Sequence, residues 1–154
     1  MARHTSVNGF SKTYAMTGWR MGYAAAAPVL AEAMANLQSQ STSGASSISQ
    51  RAALAALRGD QAPLEEMRIQ FDRRRRFVVD RLAGMPGVRV EAVPEGAFYI
   101  FPRVSDLYGE RGGKARIEGS IDVAKRLLQD ARGAVVPGVP FGSDNHVLLL
   151  HPGS

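Results

Sequence analysis

The chain has no cysteine, three lysines against sixteen arginines, three histidines and one tryptophan among its 154 residues. Without cysteine there is no disulfide framework and no thiolate to act as nucleophile or metal ligand. No apolar run reaches the roughly eighteen residues of a membrane span, and no charged-then-apolar leader is read at the N-terminus. A soluble cytoplasmic protein is therefore expected, with no membrane partner. The net charge of +5 raises the question of nucleic acid, but the basic residues are scattered and Arg73-Arg74-Arg75-Arg76 is the one cluster. That cluster lies in a helical pattern with Asp72 and Asp80, where Asp72 and Arg76 form an i,i+4 pair worth a few tenths of a kcal/mol. No aromatic interleaving accompanies it, so it reads as a solvated helix face and no nucleic-acid partner is expected.

What is present is an apolar fraction of 45%, enough for a sizeable core in one domain of ordinary size. The chemistry concentrates in residues 8–23. Lys12 sits close to the small residues Gly9 and Ser11, and Arg20 follows it between Gly18 and Gly22. A lysine amine is a nucleophile at neutral pH only when desolvation or neighbouring cations favour its uncharged form, and Arg20 is such a cation. A planar, permanently charged guanidinium also suits a phosphate held bidentately, with glycines letting backbone approach the ligand.

The run Gly9-Phe10-Ser11-Lys12, then Ala15-Met16, then Gly18-Trp19-Arg20-Met21-Gly22 resembles the cofactor-lysine signature of the class I and II aminotransferases, in particular the aspartate aminotransferase-like branch of fold type I. The resemblance implies pyridoxal 5′-phosphate as cofactor, Lys12 as its Schiff-base and catalytic lysine, and Arg20 as a phosphate ligand. It implies amino acid and 2-keto acid substrates, amino-group transfer, and a homodimer in the full-length family. Further stretches are similar in the same order: residues 37–50, which the family places near its dimer interface, Pro94-Glu95-Gly96-Ala97-Phe98-Tyr99, and Val135-Val136-Pro137-Gly138 with Phe141-Gly142. Decarboxylases, lyases and synthases of the same fold share every one of these motifs, and so does a catalytically inactive fragment.

The expected fold is α/β, the C-terminal part of a fold type I transferase: residues 1–62 from the end of the large, mainly parallel sheet domain, and residues 63–154 a small α+β domain truncated at its end. Residues 4–8 read as a short strand turning at Asn8-Gly9 to present Lys12 on a loop, and residues 21–26 as a buried strand stopped by Pro28. A helix is expected from Val29 through Leu37. A second runs from an N-cap at Ser46 or Ser47 to Gly59, and a long amphipathic third from Pro63 to Gly84. Residues 88–93 and 97–101 read as two strands, with the aromatics of the second in the core. Arg111-Gly112-Gly113-Lys114 reads as a surface loop, too little for a phosphate loop. Ser120 caps a short helix, and a short strand follows at residues 134–136.

Near the end the chain departs from the pattern. Where the family has an arginine for the substrate α-carboxylate, the residues are Val147-Leu148-Leu149, and leucine cannot pair with a carboxylate. His146 and His151 flank that position on opposite sides and are poor substitutes for the arginine. The family's acidic partner of the pyridine nitrogen, its ring-stacking aromatic and its phosphate loop are not found, and a truncated remnant or fragment is expected.

Overall fold

The computed structural model describes residues 4–109 and 116–150. The expected loop at residues 111–114 and the C-terminal residues 151–154 lie outside them. Two compact units divide the chain, Met1–Met67 and Arg68–Ser154.

In the first unit, strand β1 (Ser6–Gly9) pairs antiparallel with β2 (Gly22–Ala25), Val7 opposite Ala24 and Gly9 opposite Gly22. Between them lie a four-residue helix α1 (Phe10–Thr13) and a 3-10 turn over Thr17–Trp19. Helices α2 (Pro28–Ser41) and α3 (Ser47–Arg58) follow. Pro28 opens α2 at a first-turn position, where its missing N–H costs nothing. Helix α3 buries Ser49 and Ala53 and stops at Gly59, whose N–H donates to the Ala55 carbonyl at 2.8 Å. Ser46 stands at its N-cap without a side-chain capping bond, and Gln50 Nε2 instead donates to the Ala45 carbonyl at 2.9 Å. The core is small: Phe10, Met16 and Ala53 are buried, with Tyr14, Met21, Ala52 and Ala56 packed around them.

Two expectations change here. Residues 21–26 are not a buried strand: β2 is exposed along its length, because β1 is its one strand neighbour among the described residues. Lys12 lies on α1 rather than on an open loop, since the Tyr14 N–H closes a helical turn onto the Phe10 carbonyl at 3.1 Å.

Helix α4 (Ala62–Ala83) carries the chain across the division between Met67 and Arg68. Asp60 caps it, accepting from the Ala62 N–H at 3.0 Å. The basic cluster is held as expected at Asp72, whose carboxylate meets Arg76 at 2.8 Å and Arg75 at 2.7 Å. Those arginines hold the Asp72 carboxyl below its usual range, Arg75 contributing most. Among the described residues no helix is long and apolar enough to cross a membrane.

The second unit holds a three-stranded antiparallel sheet in the order β3 (Tyr99–Ile100), β5 (Val147–Leu150), β4 (Val136–Pro137). Helix α5 (Ser120–Ala131) packs Val123 with Val104, Ile117 and Val147 in its core. The strand expected at residues 88–93 reduces to a single bridge, Arg89 to Arg103. Arg89 and Arg103 both pair with Asp106, at 2.7 and 3.0 Å, beside that bridge. The strand expected at 97–101 shortens to two residues because Ala97 takes a left-handed conformation, φ 59. Its buried member is Ile100, with buried Pro102 two residues on, while Tyr99 is exposed.

Ser120 is the first residue of α5 rather than its cap, which is Gly119. Fully buried, Ser120 donates its N–H and its Oγ–H to Asp144 Oδ1 at 2.9 and 2.7 Å, and its Oγ accepts from the Gly138 N–H at 3.2 Å. The Tyr108 hydroxyl donates to the Asp144 carbonyl. The side-chain and backbone bonds from Ser120 hold the Asp144 carboxyl below its ordinary value. Gly138 has no room for a side chain, since a Cβ there would overlap the Ser143 and His146 carbonyl oxygens.

Candidate functional site

The pairing of Gly9 with Gly22 closes the ribbon at the end where the connecting segment begins and ends, and the Phe10 N–H extends it by donating to the Met21 carbonyl at 3.1 Å. Lys12 stands three residues beyond Gly9 and Arg20 two residues before Gly22, so backbone pairing brings both to one end of the ribbon. Close strand approach requires the glycine at 22: a Cβ there would lie 3.0 Å from the Asn8 carbonyl oxygen. Phe10 and Met16 anchor the segment in the core, whereas Lys12 and Arg20 are exposed.

The segment turns twice through left-handed backbone, at Ala15 (φ 53) and at Arg20 itself (φ 51, ψ 50). Non-glycine residues pay about 1–2 kcal/mol for that conformation, and such positions cluster where a side chain must be aimed. Arg20 Nη1 donates to the Thr17 carbonyl at 3.0 Å, which uses one of five guanidinium N–H donors. Among the described residues no carboxylate pairs with Arg20. Beside it, a Cβ added at Gly18 would meet nothing within 4 Å. An exposed amine, a guanidinium with donors to spare and open space over a glycine fit the carbonyl and phosphate ends of pyridoxal 5′-phosphate.

The left-handed turns at Ala15 and Arg20 were not expected from the sequence, since neither alanine nor arginine carries a compositional signal for them. At the other end of the chain, Leu148 lies in β5 opposite Val136, partly buried, and places no cation there. His146 is engaged elsewhere: its Nδ1 meets Ser143 Oγ at 2.7 Å, its Nε2 lies 3.5 Å from Glu91, and its ring stacks on Phe101 at 4.7 Å. No cluster of three or more potential metal-ligating side chains occurs among the described residues.

Comparison with known proteins bears directly on this arrangement. The family model for class I and II aminotransferases matches residues 2–148. The aspartate aminotransferase of Pinus pinaster is 45% identical over 156 residues, covering 99% of this chain and 32% of that protein. That of Rhizobium meliloti strain 1021 is 50% identical over 142 residues, covering 91% of this chain and 34% of its own. The crystal structure of the Rhizobium meliloti aspartate aminotransferase superposes with a TM-score of 0.89 at 44% identity, covering 97% of this chain and 37% of that one. The Thermotoga maritima aspartate aminotransferase gives 0.82 at 36% identity, covering 97% and 35%. The chain thus spans about a third of the length of the relatives it matches, and its α/β fold is that of part of a fold type I transferase.

Proposed function

The chain belongs to the class I and II aminotransferase family, and from that premise we propose that it supplies the cofactor lysine, Lys12, and one phosphate anchor, Arg20, of a pyridoxal 5′-phosphate-dependent aminotransferase. The reaction is transfer of an amino group between an amino acid and a 2-keto acid. One observation carries the reading: the β1–β2 pairing and two left-handed turns bring an exposed lysine and an arginine without a carboxylate partner to one end of one ribbon.

Bound at this site, the cofactor supplies the electron sink that stabilises negative charge at a substrate α-carbon. The residues of the chain do the rest. Lys12 Nζ would hold the cofactor through its carbonyl carbon and, as a free amine, would be the base that takes the substrate α-proton and delivers it to that same cofactor carbon. Arg20 grips the phosphate and so fixes the ring's position relative to Lys12. Gly22 keeps the two ends of the segment in register. The substrates are an amino acid and a 2-keto acid, the assembly a homodimer of complete chains, and the setting cytoplasmic amino acid metabolism; family membership supports each of these.

Leu148 favours a second reading, in which the chain holds the cofactor but does not turn substrate over, because no cation stands where the family pattern has its carboxylate-binding arginine. One titration separates the two. Added pyridoxal 5′-phosphate develops the visible absorbance of a lysine-bound cofactor, and Lys12→Ala abolishes it. Release of a 2-keto acid on adding an amino acid then supports turnover, and unchanged absorbance without keto acid supports binding alone. Equal absorbance in the wild type and Lys12→Ala proteins would refute both readings.

A further inference from the structure

Helix α1, which carries Lys12, is a single turn with few bonds of its own. Tyr14 N–H donates to the Phe10 carbonyl at 3.1 Å and Ala15 N–H to the Lys12 carbonyl at 3.2 Å, and its N-cap Gly9 makes no side-chain capping bond. One turn is unstable alone, because nucleation fixes several residues for very few bonds. Tertiary anchors therefore set where Lys12 stands. On the N-terminal side the anchor is buried Phe10. On the C-terminal side it is Tyr14, packed against the cluster of Phe10, Met16 and Ala53 with its ring 5.5 Å from that of Phe10. The Tyr14 hydroxyl donates to Gln61 Oε1 at 3.3 Å, across 47 residues of sequence. Gln61 is itself fixed from two sides. Its Nε2 donates to the Ala56 and Gly59 carbonyls at 3.0 and 2.7 Å, at the C-terminus of α3. Its own carbonyl accepts from the Leu64 and Glu65 N–H groups in the first turn of α4, at 3.1 and 3.2 Å. Both amide hydrogens are thus committed to carbonyls, which leaves Oε1 for the Tyr14 hydroxyl; the flipped amide would set oxygen against two carbonyl oxygens.

We infer that Gln61 is a positioning residue for Lys12: through the Tyr14 hydroxyl it fixes the end of α1, and so the place from which Lys12 Nζ meets the cofactor's carbonyl carbon. The inference rests on the reading of Lys12 given above. An α1 that is ordered before binding spares the cofactor the cost of ordering it. Arg20 is set instead by the strand register at Gly22, so loss of the Tyr14–Gln61 bond weakens attachment at the carbonyl and leaves discrimination for the phosphate unchanged.

The test compares the wild-type chain with Tyr14→Phe, which keeps the ring and the bonds of Gln61 to α3, with Gln61→Ala, and with the double variant. Apparent affinity at Lys12 is read by borohydride trapping over a concentration series, with pyridoxal 5′-phosphate and pyridoxal in parallel. Each single variant is expected to lose roughly three- to tenfold, the effect of one hydrogen bond, by the same factor for both aldehydes. The double variant is expected to lose no more than either single one, because the two residues act through one bond. With no cofactor added, amide exchange at Tyr14 and Ala15 is expected to be roughly threefold or more faster in both single variants. A merely structural role for Gln61 would lower the urea midpoint and leave trapping by the folded protein unchanged. Wild-type trapping by Tyr14→Phe, losses that add in the double variant, or a loss confined to the phosphate ester would each overturn the inference. A wild type that forms no Lys12 adduct refutes the reading of the site instead, and exchange then decides on Gln61: faster exchange in both single variants supports it as the anchor of α1, and unchanged exchange overturns it.

Discussion

Replacing Arg20 by glycine separates what this residue does for binding from what it costs in folding. Its backbone sits at φ 51, ψ 50, where an L-residue is penalised by about 1–2 kcal/mol. Glycine removes that penalty but loses about 0.5–1 kcal/mol more chain entropy on folding. The exposed bond from Nη1 to the Thr17 carbonyl, 3.0 Å long, is worth at most about 0.5–1.5 kcal/mol. These nearly cancel, so the urea midpoint of Arg20→Gly stays within about 1 kcal/mol of wild type, with an unchanged slope. Binding behaves differently. A charge-assisted hydrogen bond contributes about 1.5–3 kcal/mol, so the variant loses roughly 10–100-fold in affinity for pyridoxal 5′-phosphate. Affinity for pyridoxal, which has no phosphate, is unaltered. Paired titrations with the two compounds read the difference directly. Phosphate discrimination equal to wild type would refute the assignment of Arg20, and a destabilisation above about 3 kcal/mol would refute the account of its backbone.

Ser120→Ala removes a donor to Asp144 and the acceptor of the buried Gly138 N–H, and urea unfolding is expected to show a loss of about 2–4 kcal/mol; a loss under about 0.5 kcal/mol contradicts the hydrogen-bond accounting. Gly138→Ala drives a methyl into two carbonyl oxygens and is expected to destabilise by about 3 kcal/mol or more, measured in the same assay. The Asp144 carboxyl titrates below its ordinary 3.8 in the folded chain. Its contribution to stability is therefore complete above that value and is lost as the pH falls through the lower, folded value. Acid titrations of wild type and Asp144→Asn followed by circular dichroism should differ above pH 3.8 and converge as the pH falls through the lower, folded value; parallel curves throughout would exclude Asp144 as a contributor.

Helices were legible because their signals are local. Pro28, Gly59 and the 3–4 spacing in residues 64–82 set the start of α2 and both ends of α3 and α4 to within a residue, while α2 runs four residues past the expected Leu37. Strands were less so, because pairing partners decide them. The alternation in residues 88–93 yields one bridge, Arg89 to Arg103, because the backbone partners that would extend it are set by tertiary position rather than by the pattern. The small-residue run at 21–26, which reads as buried, forms an exposed ribbon among the described residues. Ser120 shows the same limit: a serine before a helical pattern reads as a cap, and only the tertiary position of Asp144, 24 residues later, turns it inward. Lys12 and Arg20 were singled out by the spacing of the Gly9–Gly22 motif. Their meeting at one end of a ribbon follows from the Gly9–Gly22 register, and the left-handed turn at Arg20 had no signature at all.

The claim on which the functional account rests is that Lys12 is the residue that takes the cofactor. Its most direct test is to incubate the chain with pyridoxal 5′-phosphate, reduce with borohydride and locate the modified lysine by peptide mass mapping. Among the three lysines, modification confined to Lys12, and lost when pyridoxal replaces the phosphate ester at limiting concentration, is the predicted result. Modification spread evenly over Lys12, Lys114 and Lys125 would contradict it.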